Sequence, residues 1–299
     1  MEFAMIGLGK MGLPMAVRAA EDQHDVWGFD VVGSVRKEAV DAGLRVADDL
    51  GSLVERLAPP RIIWLMLPAG VAVSSTIGAL SELLARDDLV VDGGNSHVRD
   101  SAVHHDLLRE REIRYVDIGT SGGIWGVEHG WGLLVGANEE DYERLTPILA
   151  SLAAPDGYAR VGPVGTGHLT KTFHNGVQYG MMQAYAEGFE LLADCPDEVD
   201  VAAVLRVWQA ACSVRSWILG HLAESVQADP RLASVEPRVG QSGTGSWTVE
   251  HALERGVAVP VIALSLFERF HAAGQDGSAA ERALTALRAS IGGHGVADR

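Results

Sequence analysis

Short apolar runs alternate with amphipathic stretches through the first half of the chain. "FAMIGL" precedes a helical pattern from about Met11 to Ala20, "HDVWGFD" one from about Ser34, and "RIIWLML" one from about Val71 to Ala85, while "LVVDGG" precedes "VRDSAVHHDLLRERE". Continuous or alternating apolar runs bounded by turn residues predict strands, and apolar positions recurring at the helical period predict helices. "IRYVDIG", "WGLLVG" and "YARVG" are further strand candidates. Such alternation predicts a parallel sheet with helices on both faces.

Past the Gly and Pro punctuation of "VGPVGTG" the strand signals nearly stop. Helical patterns run from about Gly167 to Ala193 and from Val199 to about Gln227, with shorter ones over Trp247 to Arg255, Val259 to Ala273 and Ser278 to Ser290. The expected fold class is therefore α/β: an N-terminal Rossmann-like doubly wound domain over 1–163, followed by an all-α domain over 164–299 for substrate binding and dimerisation. A chain of 299 residues is long for a single core and comfortable for two.

The formal net charge of -16 argues against nucleic acid or an anionic membrane as a partner, since either is repelled over most of the surface. An anionic small-molecule ligand then needs its positive partners concentrated locally. Cys195 and Cys212 are too few for a disulfide scaffold and read as small buried hydrophobes. The start carries no basic targeting region, and no apolar run reaches the roughly 20 residues that cross a bilayer, so a soluble cytoplasmic protein is expected.

"GLGKMG" places Gly7, Gly9 and Gly12 in GxGxxG spacing after the first strand and at the start of a helix, with Leu8, Lys10 and Met11 between them. Glycines there permit a tight turn and close backbone approach to a pyrophosphate, and the helix N-terminus favours its charge. Asp30 ends the second strand, where a carboxylate accepts from ribose hydroxyls and repels a 2'-phosphate. NAD rather than NADP is the expected cofactor, although Arg36 lies within reach of a phosphate. Leu67, closing "RIIWLML", is assigned to the cofactor as well.

On a helix starting near Gly167, Lys171, His174, Asn175 and Gln178 share one face of a segment apolar enough to be buried. Buried polar groups are costly unless satisfied, so this stripe is either a structural network or a site, and the convergence favours a site. "GTGHLTKTFHNGVQYGMMQAYAEGFELL" resembles the active-site helix of the 6-phosphogluconate dehydrogenase family, within the β-hydroxyacid dehydrogenases. "VDGGNSHVRDS", "DIGTSGGIWGVEHGWGLLVG" and "GTGSWTVEHALERGVAVPVIALSLFERF" extend the resemblance over nearly the whole chain, in the form of the short NAD-linked bacterial enzymes.

The resemblance implies that Lys171 is the general base on the substrate 3-hydroxyl, with His174, Asn175 and Asn95 positioning substrate and nicotinamide. It assigns the carboxylate end to Ser121, Gly122 and Gly123, and the phosphate to Tyr179, Thr244 and Arg269. "RASIGGH" reproduces the family tail, with Arg288 and His294, which in relatives completes the partner's active site and so implies a homodimer. A buried lysine beside the cofactor is physically suited to its role, because a low-dielectric site lets it lose its proton near neutral pH.

Gln178 departs from the family, which carries a glutamate there that protonates the enediol left by decarboxylation; an amide cannot titrate. Ser242 stands where long-form relatives have a phosphate-binding lysine, and Ile124 where they have glutamate. Two enzyme readings follow: an NAD-linked 6-phosphogluconate dehydrogenase of gluconate utilisation and the pentose phosphate pathway, or a non-decarboxylating relative acting on another 3-hydroxy acid or a phosphonate. A catalytically weak NAD-binding sensor is a third, against which the retained Lys171 and Asn175 argue. His97, His104 and His105 are expected to face water with no metal role. Trp125, Trp131 and Trp247 are expected to pack, and "DEVD" to start a helix.

Overall fold

Alternate residues of the first strand face opposite sides of one sheet, and both sides are buried: Phe3 and Met5 join one apolar cluster, Ala4 and Ile6 another. The computed structural model describes residues 1–237, 239, 243–272 and 277–293. By its internal contacts the chain divides into two units, Met1–Thr172 and Phe173–Arg299.

The first unit holds β1 (Glu2–Ile6), α1 (Gly12–Glu21), β2 (Asp25–Phe29), α2 (Gly33–Asp41), β3 (Arg45–Val46), α3 (Leu50–Arg56), β4 (Ile62–Leu65), α4 (Val71–Leu83), β5 (Leu89–Asp92), α5 (Val98–Arg109), β6 (Arg114–Ser121), α6 (Gly126–His129), β7 (Trp131–Gly136), α7 (Glu139–Leu152) and β8 (Ala153–Gly162). The strand order is β3-β2-β1-β4-β5-β6-β7-β8, so the chain reverses direction across the sheet between β1 and β4. In open sheets of this kind ligands bind beyond the carboxyl ends of the strands at that switch point.

The doubly wound α/β expectation holds, with one correction to the parallel sheet: β7 runs antiparallel to β6. Two short connections explain the reversal, the glycine-rich Gly122–Gly123 turn and the single-turn α6, because only a crossover helix of some length returns the chain to a parallel start. Four elements escaped the periodicity, the single-turn α6 among them. β3 is two residues long, α3 is a short helix held by a capping box between Asp49 and Ser52, and α7 starts at the Asn138 cap.

The second unit continues α8 (Thr166–Ala193), which begins in the first, and adds α9 (Val201–Ala211), α10 (Trp217–Ala228), α11 (Thr244–Arg255), α12 (Pro260–Ala272) and α13 (Ala279–Gly292). No strand follows Gly162 among the described residues, as expected for an all-α region. Its core gathers Met182, Phe189, Leu205, Leu222, Val226 and Leu287. The single helix expected from Val199 to Gln227 is two. Ser216 caps α10 by accepting from Leu219 N at 3.0 Å, its own N–H donates to Gln209, and Tyr185 donates to the Val214 carbonyl at 2.9 Å. Those side-chain bonds satisfy the backbone groups that a continuous helix would have paired internally.

The start of α8 lies directly on the strands. A Cβ at Gly167 would sit 2.5 Å from the carbonyl oxygens of both Asp117 and Leu134, and one at Gly119 would sit 2.4 Å from Lys171 Cβ. Neither contact leaves room for a methyl group. Gly167→Ala is therefore expected to destabilise the protein by about 3 kcal/mol, at the upper end of overpacking effects, since backbone cannot yield as a side-chain tip can. Chemical denaturation reads this directly, and an unchanged midpoint would contradict the close seating.

Candidate active site

Five loops of the first unit follow the carboxyl ends of β1, β2, β4, β5 and β6, and each carries residues singled out in the sequence. The turn after β1 holds Gly7, Leu8, Gly9, Lys10 and Met11 and leads into α1 at Gly12. Gly12 is required by packing, because a Cβ there would meet the Gly7 carbonyl at 1.8 Å. Gly9 is not: a Cβ at that position meets nothing within 4 Å. The open space at Gly9, beside an α1 N-terminus with no side-chain cap and no acid in its first turn, is what an incoming pyrophosphate needs.

Asp30, after β2, is tied to that turn. Its Oδ2 accepts from Leu8 N at 2.9 Å and its Oδ1 from Val32 N at 2.8 Å, while Arg36 donates to the Asp30 carbonyl at 2.7 Å. Each carboxylate oxygen keeps a lone pair for a ribose hydroxyl. Leu67, after β4, is half-buried, and its side chain would touch any Cβ placed on Gly7. These residues fit the expected dinucleotide.

Beyond β5, Asn95 has a left-handed backbone (φ 58°), and its amide pairs with one residue of β6 in both directions. Nδ2 donates to the Thr120 carbonyl at 3.0 Å and Oδ1 accepts from Thr120 N at 2.8 Å. One N–H and one lone pair remain for a ligand. Asn95 thereby fixes the end of β6, where Ser121, Gly122 and Gly123 turn the chain away. Trp131 is fully buried beneath this turn and donates to the Gly123 carbonyl at 3.1 Å, so it packs as expected.

Lys171 lies over Gly119 of the same strand and is only 6% exposed. Burial pulls its ammonium down to about 7. The chain has only three lysines, Lys10, Lys37 and Lys171, and all its other cationic side chains are arginines that keep their protons. Lys171 is thus placed to accept a proton at neutral pH.

In the second unit α8 continues with His174, Asn175 and Gln178. His174 is exposed and its Nδ1 lies 3.1 Å from Asn175 Oδ1. Gln178 is half-buried and has no hydrogen-bond partner among the described residues. Tyr179, 7% exposed, lies under the Arg269 guanidinium, whose carbon is 3.6 Å from the ring centroid. Gly245, in the first turn of α11 beside the buried Thr244, packs on the same ring.

Arg269 is buried and its Nε has no partner, and among the described residues no carboxylate pairs with it. Burial first, then the like charge of Arg288, lowers its pKa to about 10. A buried guanidinium facing a second arginine rather than an acid is a place for an anion. His294 and Ser242 lie outside the described residues.

One expectation is corrected. His104 does not face water: it is buried, its Nε2 lies 3.0 Å from Ser74 Oγ, and its ring meets Tyr115 edge-on. The helical pattern of α5 gave it the wrong face because Ser101, His104 and Leu108 form the buried stripe. His97 instead caps α5, its Nδ1 accepting from Arg99 N.

The model of the NAD binding domain of 6-phosphogluconate dehydrogenase matches residues 2–167, and that of the 6-phosphogluconate dehydrogenase C-terminal domain matches 167–291. The NAD(+)-dependent, decarboxylating 6-phosphogluconate dehydrogenase of Haloferax volcanii is 41% identical over 299 residues, covering 99% of each chain. The Bacillus subtilis enzyme of the same description is 32% identical and covers 89% of this chain, which spans 60% of that longer protein. Among solved structures, Plasmodium falciparum 6-phosphogluconate dehydrogenase superposes with a TM-score of 0.79 at 24% identity, over 91% of this chain and 62% of its own, a likeness of fold.

Burying a lysine whose pKa falls to about 7 has a cost that depends on pH. Between about 7 and the ordinary lysine value the unfolded chain binds the extra proton, so stability rises with pH across that window and the full cost is present below it. Lys171→Met is expected to stabilise the protein by about 1–3 kcal/mol at pH 6, with the gain shrinking as pH rises towards 10. Denaturant titrations at the two pH values test this, and a gain that grows with pH would refute it.

Proposed function

The chain belongs to the 6-phosphogluconate dehydrogenase family, and on that premise we propose that it oxidises the 3-hydroxyl of 6-phosphogluconate with NAD and releases the substrate carboxylate as carbon dioxide. The observation that carries this reading is the buried Lys171 with its pKa near 7, standing over β6 beside the loops that fit a dinucleotide. Lys171 Nζ takes the proton of the 3-hydroxyl. Bound NAD, held by the Gly7–Gly12 turn, Asp30 and Leu67, supplies the hydride acceptor. The resulting 3-keto acid loses carbon dioxide because the ketone accepts the electron pair of the breaking carbon–carbon bond. Protonated Lys171 can return its proton to that oxygen.

The remaining residues bind and orient. Asn95 uses the amide valences that Thr120 leaves over, and His174 and Asn175 stand one turn beyond Lys171 on the same helix. Ser121, Gly122 and Gly123 receive the carboxylate end. Arg269, stacked on Tyr179 and under the like charge of Arg288, receives the phosphate together with Thr244. With its carboxylate already shaped by Leu8 N and Val32 N, Asp30 disfavours a 2'-phosphate and sets the preference for NAD over NADP.

A second copy of the chain is the partner we assign. Along α12, Val261, Leu264, Phe267 and Phe270 are 67%, 61%, 57% and 48% exposed at successive near-turn spacings. Such a stripe on a surface helix is an interface waiting for an apolar partner.

Gln178 favours a second reading. An unpartnered amide in place of an acid supplies no proton after decarboxylation, so a hydroxyacid dehydrogenase that stops at the ketone is also consistent with the site. An assay with 6-phosphogluconate and NAD that traps carbon dioxide separates the two. NADH and carbon dioxide in equal amounts are expected. NADH without carbon dioxide, or turnover only with an unphosphorylated 3-hydroxy acid, would overturn decarboxylation or the substrate, respectively. Arg269→Met is expected to raise KM for 6-phosphogluconate about 100-fold, as loss of a charge-assisted contact of a few kcal/mol does. Asp30→Ala should raise the NAD Kd about tenfold and narrow the NAD to NADP ratio, read by titration calorimetry with each cofactor; an unchanged ratio would remove Asp30 from that role.

A further inference from the structure

We infer that His168 and Asp117 are positioning residues for Lys171: together they seat the first turn of α8 on the sheet and keep the lysine stem dry. The inference rests on the reading of Lys171 as the base, and it concerns residues to which the sequence analysis gives no role, although both lie within the quoted segments "DIGTSGG" and "GTGHLTK".

Asp117, in the middle of β6, is fully buried. Among the described residues no lysine or arginine pairs with it. Its Oδ1 accepts from Gly165 N and its Oδ2 from His168 N at 2.7 Å. A carboxylate on a strand thus receives the unpaired N–H groups at the start of a 28-residue helix, where both hydrogen bonding and the helix dipole favour negative charge.

The His168 ring, 1% exposed, ties the same turn to two other elements. Its Nε2 is 3.0 Å from the Asp92 carbonyl oxygen at the end of β5, which can only accept, so Nε2 carries a proton. Its Nδ1 is 2.7 Å from Ser101 Oγ on α5. The turn is held by β6 through Asp117, by β5 and α5 through His168, and by the absence of a side chain at Gly119 and Gly167. Lys171 follows three residues after His168, and its Cβ rests on Gly119.

The consequence for chemistry is specific. Burial is the cause of the lowered Lys171 pKa, so its proton affinity depends on how closely this turn lies on the strand. The titratable groups packed around the seat are Asp117 and Tyr115 on β6, Asp92 on β5, and His104 on α5. None of them is a source of the Lys171 shift. Loosening the seat admits water and returns the lysine towards its ordinary value, so that at neutral pH it holds its proton and no longer accepts one.

The presence of only three lysines makes this measurable without any substrate. Lysine labelled at the ε-carbon gives three NMR resonances, and Lys171→Met identifies the one to follow. In the wild-type holoenzyme with NAD, the Lys171 resonance is expected to titrate near 7. In His168→Ala the midpoint is expected to move upward by at least about one pH unit, with NAD affinity retained; in His168→Gln, which can still donate to the Asp92 carbonyl, most of the shift is reversed. If His168→Ala does not fold, Ser101→Ala removes the hydroxyl at Nδ1 alone and should move the midpoint in the same direction.

A folded variant that binds NAD while leaving the midpoint in place overturns the inference, as does a His168→Gln no better than alanine. Where the wild type turns over 6-phosphogluconate, the acid limb of kcat/KM should follow the NMR midpoint in each variant. Absence of turnover in the wild type would count against the substrate assignment alone, since the NMR shift is read independently of it.

Discussion

The contact on which the first unit's chemistry depends is the one between the start of α8 and the strands β6 and β7. Gly119, Gly136 and Gly167 let helix backbone and strand backbone meet with no side chain between them. A contact that close buries the stem of Lys171. It also leaves the helix N–H groups facing a strand, and the Asp117 carboxylate satisfies them. Burying a carboxylate is costly, and desolvation raises the Asp117 pKa; the hydrogen bonds from Gly165 and His168 act in the opposite direction. The outcome is a lysine held by geometry at the edge of the sheet where the dinucleotide loops also end.

The same economy appears at the other loops. Asn95 occupies a left-handed backbone position that favours small polar residues, and uses one face of its amide to fix Thr120. Asp30 holds Leu8 N and so shapes the glycine turn on which the cofactor phosphates would rest. In each case a residue expected to meet a ligand first fixes the backbone of a neighbouring loop. Such residues are pre-organised before any ligand arrives, which reduces the ordering cost of binding.

What was legible in the sequence was local. The GxGxxG turn, the acid at the end of β2 and the lysine on an apolar helix are each contained in a few residues, and period and turn chemistry are enough to place them. The doubly wound sheet and the helical second half followed from the same periodicities. The antiparallel β7 did not, because strand direction is decided by the length of the connection and not by the strand's own residues. His104 was assigned to water because a histidine on a helix of low apolarity carries no mark of its face. The seat of α8 was invisible for a related reason: Asp117 and His168 are separated by 51 residues, and an aspartate inside an apolar strand becomes intelligible only when the helix that it caps is seen. The division of Val199 to Gln227 into α9 and α10 depends likewise on Tyr185, from another helix.

The scarcity of lysine sharpens the division of labour among positive charges. In a chain of net charge -16, any positive group that binds an anion works against the field of the whole surface and must be strong, local and permanent. Arginine meets that requirement because its guanidinium stays protonated even where burial draws it down, as at Arg269. Lysine does not, because desolvation brings its proton affinity down to the neutral range, to about 7 at Lys171. Arg269 on its tyrosine face and Lys171 on its glycine strand are therefore opposite answers to the same burial. An exchange of the two residue types would leave a side chain that discharges beside Tyr179 and one that keeps its proton over Gly119. Gln178, on the helix that carries both Lys171 and Tyr179, belongs to neither class. Since it cannot gain or lose a proton, it can only hydrogen-bond to what the site holds.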